Sequence, residues 1–219
     1  HDDGTGRAYE FGPGAGEARS IHDEDFKDCA TSWRWTRPAE ERSVLEAFGR
    51  IRTEGRVAKF DRGSARLKGG HLQGLGRIDR RTLAISANSD DGAVFFVVQW
   101  RTRVGHGLGR VIDRVDVADP PLGHAGGLQI AADVLALGVE DDDARDRSRI
   151  ECYVVRRPRA INRLAYLSFD RPGPGQRPRT ERWTAGAVGL AGISDGYLLG
   201  VGSWASKHLD FYRSTGADL

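Results

Sequence analysis

The sequence predicts an all-β protein, a β-propeller-like array of antiparallel four-stranded blades, and three observations lead there. A unit recurs along the chain, each copy holds several short apolar runs of strand length, and turn-forming clusters such as "SANSDDGA" and "EDDDARDRS" separate those runs.

The repeat is read from "KGGHLQGLGRIDRRTLAISANS" and "PLGHAGGLQIAADVLALGVE". Setting Gly74-Leu75 against Gly127-Leu128 places His71 and His124 in register and matches Leu83-Ala84-Ile85 to Leu135-Ala136-Leu137. "VFFVV" (94–98) then matches "IECYVV" (150–155). A fainter third copy begins at Gly189-Leu190, continues through Tyr197-Leu198-Leu199-Gly200-Val201 and closes on Leu209-Asp210-Phe211-Tyr212. From Leu75, Leu128 and Leu190 to the closing aromatics Phe95, Tyr153 and Phe211 the spacing is 20, 25 and 21 residues. The units lie near 66–117, 120–170 and 183–219, inside one domain over 26–219 that follows a flexible N-terminal segment, 1–25.

Within each unit the first run is small and Gly-rich, as an innermost strand must be where backbones crowd round an axis. The second is almost continuously apolar and reads as buried on both faces, while the third alternates and carries aromatics. "GRVIDRVDV" (109–117) and "INRLAYLSFD" (161–170) alternate as half-exposed outer strands. Leu83, Ile85, Leu135, Leu137, Val139, Leu198, Leu199 and Phe211 are the expected core. Upstream, "PAEERSVLEAFGRI" has helical spacing behind Pro38, or the stretch supplies an incomplete unit. Three units do not close a ring, so the expectation is a four-bladed propeller, a fragment of a larger one, or a chain that pairs with another copy.

Composition excludes some classes. The net charge is +2, and the basic residues are nearly all Arg, which fits a GC-rich genome better than a nucleic-acid surface. No window is apolar enough to span a bilayer. The chain has no Met and opens on a Gly-rich, charged stretch, which reads as a removed leader or a trimmed start; the former places the protein in an extracellular or periplasmic setting. Cys29 and Cys152 either pair or remain two buried thiols.

"GGHLQG", "HAGGLQ" and "WASKHLDFYRS" resemble bacterial secreted β-propeller proteins in which an H-x-x-G phrase opens each blade. The resemblance covers roughly residues 65–215 and implies architecture, with almost nothing about chemistry. The third unit departs from it, with Gly186 where the histidine belongs.

Equivalent positions in successive blades face the same end of one axis, so His71 and His124 should converge. With Gln73 or Gln129 and an acid they form a ligand-binding site, ligate a divalent metal or supply a general base; the alternative is that duplication alone repeated a histidine that bonds a neighbouring backbone. His106 in "RVGHGLGR" reads as a surface turn residue, and that glycine-rich phrase lacks the strand-to-helix setting of a phosphate loop. Glu140-Asp141-Asp142-Asp143 reads as a solvated hairpin tip, since contiguous acids do not wrap a calcium ion. "RPGPGQRPR" (171–179) reads as an exposed basic loop. Ser203, Ser206 and His208 lack an acid and a nucleophile turn. Trp33 and Trp35, beside Arg34 and Arg37, are either a stacking platform or packing for the N-terminal segment. The function expected is a secreted module binding a protein or carbohydrate on its axial face with no cofactor; the alternative is a metal-assisted lyase or hydrolase. Homo-oligomerisation fits either.

Overall fold

A computed structural model describes residues 8–11, 19–21, 50, 57–61, 67–157, 160–173, 175–194 and 196–214, and for 8–11, 19–21 and Arg157 it describes the backbone alone. The strands in chain order are β1 (Ala8–Phe11), β2 (Arg19–Ile21), β3 (Phe60–Asp61), β4 (Leu72–Asp79), β5 (Thr82–Ala87), β6 (Ala93–Gln99), β7 (Gly109–Ala118) and β8 (His124–Ala131). They continue as β9 (Val134–Glu140), β10 (Ser148–Arg157), β11 (Ala160–Arg163), β12 (Phe169–Arg171), β13 (Ala187–Ile193), β14 (Gly196–Gly202) and β15 (Leu209–Ser214). Among the described residues the helical segments are two single 3-10 turns, Ala165–Leu167 and Trp204–Ser206, so the all-β expectation holds. No helix among them is long and apolar enough to cross a membrane. The helical stretch expected after Pro38 lies almost wholly outside the described residues.

The strands form three curled sheets. The first runs β3-β7-β6-β5-β4, the second β11-β10-β9-β8 with β12 also on β10, and the third β13-β14-β15-β1-β2. Pairing is antiparallel except between β3 and β7 and between β1 and β15. The first strands of the three repeats, β4, β8 and β13, pack in succession, with β8 touching both of the others.

Register gives the repeat an objective alignment. Leu75 pairs with Ile85, Leu128 with Leu137 and Leu190 with Leu199. On the next strand Ile85 faces Phe96, Leu137 faces Glu151 and Leu199 faces Tyr212. The structural counterpart of Phe95 and Phe211 is therefore Ile150, not Tyr153: matching aromatic to aromatic slipped the second unit by three residues. The corrected spacings are 20, 22 and 21.

Every residue of β5 and β9 is buried, as continuous apolar runs between two packed faces should be. Alternation sends Leu135, Leu137 and Val139 toward Phe95 and Val97 of the first sheet, while Val134 and Ala136 face Leu190, Leu199 and Val201 of the third. Of the eight expected core residues six are buried; Leu198 and Phe211 are only half-buried, because they lie on the third sheet's other face. The outer strand expected over 161–170 is broken into β11 and β12 by a turn. Leu164 and Leu167 turn into the core there, and Ser168 Oγ donates to the Leu164 carbonyl while accepting from the Cys152 N–H, both at 3.0 Å. Cys152 is a buried free thiol, and burial pushes it up to about 12; Cys29 lies outside the described residues.

Close approach of backbones between neighbouring sheets explains two glycines. A Cβ on Gly138 would stand 2.2 Å from the Ala185 carbonyl oxygen, and one on Gly74 2.7 Å from the Leu128 nitrogen. Without those side chains the backbones bond across sheets, and Gly127 N–H donates to Gly186 C=O at 2.9 Å.

Candidate functional site

The first strands of the first two repeats deviate from regular pairing at matching places, between Leu72 and Leu75 and between Ala125 and Leu128. Buried Ser86 ties these irregular stretches together: its hydroxyl accepts from Gly74 N–H at 2.7 Å and donates to Gly126 C=O at 2.6 Å. The beginnings of β4 and β8 are thereby fixed side by side, and they carry His71, Gln73 and His124. Outside β4, His71 is held by its backbone, donating N–H to Asn88 Oδ1 at 2.7 Å and accepting from Asn88 N–H at 3.2 Å.

The three side chains form a ladder. Gln73 Nε2 lies 2.7 Å from His71 Nε2 and 2.8 Å from His124 Nε2, so one amide bridges two imidazoles from different sheets. Beneath, His124 Nδ1 stands 2.9 Å from Oε1 of Glu140, its cross-strand partner, an ion-pair contact, and neither atom is in hydrogen-bonding geometry with any group among the described residues. The second oxygen of Glu140 accepts from Ala185 N–H at the entry to the third repeat. His71 and Gln73 are exposed, His124 is largely covered, and Glu140 is wholly buried.

Hydrogen-bond polarity fixes what this ladder is. With its Nδ1 beside the Glu140 carboxylate, His124 is placed to keep its proton on Nδ1 and turn an Nε2 lone pair outward; in that tautomer the Gln73 NH₂ group donates to its ring. The contact with Glu140 is the main reason His124 holds its proton more tightly than a free histidine; burial works against this, and Glu140 and Asp142 add charge attraction. When His124 takes a second proton, Nε2 becomes a donor, and the Gln73 amide must turn to present oxygen.

The structure thus joins His71, Gln73 and His124 and separates Gln129. Gln129 Oε1 accepts from Leu190 N–H at 3.2 Å, a link between the second and third sheets outside the ladder. Glu140 is the functional residue that sequence reasoning missed: far from a solvated tip, it ends β9 in the core, and Asp141 behind it is also buried, accepting from Ala144 N–H at 2.9 Å. The exposed-loop reading of 171–179 holds for Gly175 and Arg177 to Arg179 but not for Arg171, which is buried with its guanidinium 2.5 Å from Asp210 Oδ2 and 2.6 Å from the Tyr212 hydroxyl. His106 is an exposed turn residue outside the ladder. Ser203 Oγ accepts from the backbone N–H of His208 at 2.9 Å, so it is used for turn structure. Trp33, Arg34, Trp35 and Arg37 lie outside the described residues.

Among the described residues no three His, Cys, Asp or Glu side chains gather as a ready-made metal site. The second repeat therefore contributes two of the ladder's groups, His124 and Glu140, and the first contributes His71 and Gln73. The third repeat has Gly186 at the histidine position, close to the Glu140 carboxylate. Comparison of the chain with family models, with curated proteins and with solved structures finds no match.

Proposed function

We propose that this chain is a secreted β-propeller module, extracellular or periplasmic, that binds a carbohydrate or protein ligand at the axial end where His71, Gln73 and His124 meet. The observation that carries this reading is the ladder itself: polar groups from two adjacent sheets, exposed on the first and largely covered on the second, meet at one amide above a buried carboxylate. Such a cluster offers donors and acceptors at fixed positions, and the sheets beneath keep it pre-organised. The secreted setting rests on the H-x-x-G resemblance.

The propeller reading draws on the packing of β4, β8 and β13 and on one repeated side chain. Leu128 and Leu190 are 6% and 4% exposed, whereas their register equivalent Leu75 is 62% exposed. The first blade thus has room on that side for a preceding blade, whether from this chain or from a second copy.

Nuclear magnetic resonance of the histidine rings tests the binding reading, with glucose, glucosamine, glucuronate and a mixed-sequence tetrapeptide as probes. Saturable shifts of both His71 and His124 with at least one probe, lost in Gln73→Ala, support it. Histidine signals unmoved by all four overturn it for these ligand classes.

The second reading, a metal-assisted lyase or hydrolase, is favoured by the two Nε2 atoms that face a single point. It requires turnover that depends on added divalent metal and disappears in His124→Ala.

A further inference from the structure

We infer that the point now held by the Gln73 side-chain nitrogen is the seat of a zinc-class divalent cation, ligated by Nε2 of His71 and Nε2 of His124, with Gln73 drawing back from that point and turning its amide to offer Oε1 as a third ligand. This rests on the axial-site reading and names the ligand chemistry that the two rings select.

The ring lone pairs select the ligand. For one NH₂ group to donate to two imidazoles at 2.7 and 2.8 Å, both unprotonated ring nitrogens must point at it. A cation needs the same convergence at shorter range, with Zn–N bonds of about 2.0–2.1 Å. Closing the gap requires an inward shift on the order of an ångström, the difference between a hydrogen bond and a coordinate bond. His71 is exposed and lies just outside the first strand, so it has that freedom; His124, packed on Glu140, serves as the fixed jaw.

Glu140 supplies the second part. A ligating histidine ordinarily gives its other ring N–H to a carboxylate, which fixes the tautomer and makes the ligand nitrogen more basic. Glu140 stands in that relation to His124 and is too deeply buried to reach a cation itself, so it is a positioning residue. Asp142, which also acts on His124 through charge, favours a cation over an anion at this end of the sheets. Two imidazoles and one neutral amide leave a coordination position to water or to a ligand, the pattern of an open site.

The test uses the full chain, stripped with chelator and titrated with Zn²⁺ by calorimetry and with Co²⁺ by visible absorption. The expected result is one metal per chain and a tetrahedral Co²⁺ band. His71→Ala and His124→Ala should each weaken Zn²⁺ binding at least about tenfold, and Glu140→Gln should weaken it by roughly 10–100-fold. Gln73→Glu places a carboxylate at similar reach and should tighten binding more than about tenfold. That gain cannot come from misfolding. Metal binding that is absent from the wild type and from Gln73→Glu, or that is indifferent to His71→Ala and His124→Ala, overturns the inference. If the histidine signals still respond to a sugar or peptide probe in that case, the axial binding site survives and only its metal is lost; if they respond to nothing, both fall.

Discussion

His124 Nδ1 and Glu140 Oε1 are 2.9 Å apart, and the carboxylate has no exposed surface. A buried acid is tolerated only when paired, so the imidazole and the Ala185 N–H are what allow a charge in the core at this point. The same contact raises the His124 pKa above its ordinary 6.5. In metal-free protein the stabilisation from the charged pair is therefore complete below about pH 6.5 and fades as pH rises through the folded-state value. Glu140→Gln should bring the His124 titration down and flatten the pH dependence of the unfolding midpoint over that window. Ring-proton titration and urea unfolding at several pH values measure the two effects.

Core burial separates two leucines that look alike in sequence. Leu135 is fully buried between the first and second sheets, and Leu135→Ala should cost on the order of 2–5 kcal/mol through lost transfer energy and the cavity left behind. Leu75→Ala, at a position 62% exposed, should cost less than about 1 kcal/mol. Parallel denaturant titrations of the two variants check the contrast.

Gly138 sits where the second sheet meets the approach to the third. Gly138→Ala drives a methyl group to 2.2 Å from the Ala185 carbonyl oxygen, so backbone must move. Because Ala185 also donates to Glu140, the shift should both destabilise the fold, by about 1–3 kcal/mol or more, and disturb the His124 signal. Thermal unfolding and histidine spectra of this variant read both consequences.

The all-β class was legible because short apolar runs are local signals that survive in all three repeats, whereas glycines crowded by neighbouring backbone mark the first two. Convergence of His71 and His124 followed from the same repetition. Glu140 was hidden for a geometric reason. In an unbroken hairpin with Ala131 opposite Val134, the residue opposite His124 is Asp141; the register shift between Ala125 and Leu128 moves the pairing to Glu140. Nothing in residue type announces that shift. Gln129 misled for a related reason: it shares a phrase with His124, but five residues on it reaches the next sheet's backbone. Arg171 was masked by its neighbours, since a proline- and glycine-rich basic stretch looks exposed at every position.

Arg171 and Asp210 form a buried ion pair across the second and third sheets, with Arg182 3.5 Å from the other carboxylate oxygen. Removing one partner strands the other. Arg171→Ala should cost about 3–5 kcal/mol, whereas Arg171→Met combined with Asp210→Leu should recover the part due to the stranded carboxylate and not the part due to the Tyr212 hydroxyl and Thr184 carbonyl that lose the guanidinium. Denaturant unfolding of the single and double variants decides it.

The central claim, that Gln73 couples two imidazoles over a buried carboxylate, is tested most directly by nitrogen-15 spectra of the histidine rings in metal-free protein, with and without Gln73→Ala. Above the His124 pKa the expected result is His124 protonated on Nδ1, hydrogen-bonded Nε2 acceptors on both His71 and His124, and a joint shift of both Nε2 signals when Gln73 is removed. A His124 protonated on Nε2, or ring signals of His71 and His124 that ignore the loss of Gln73, would contradict it.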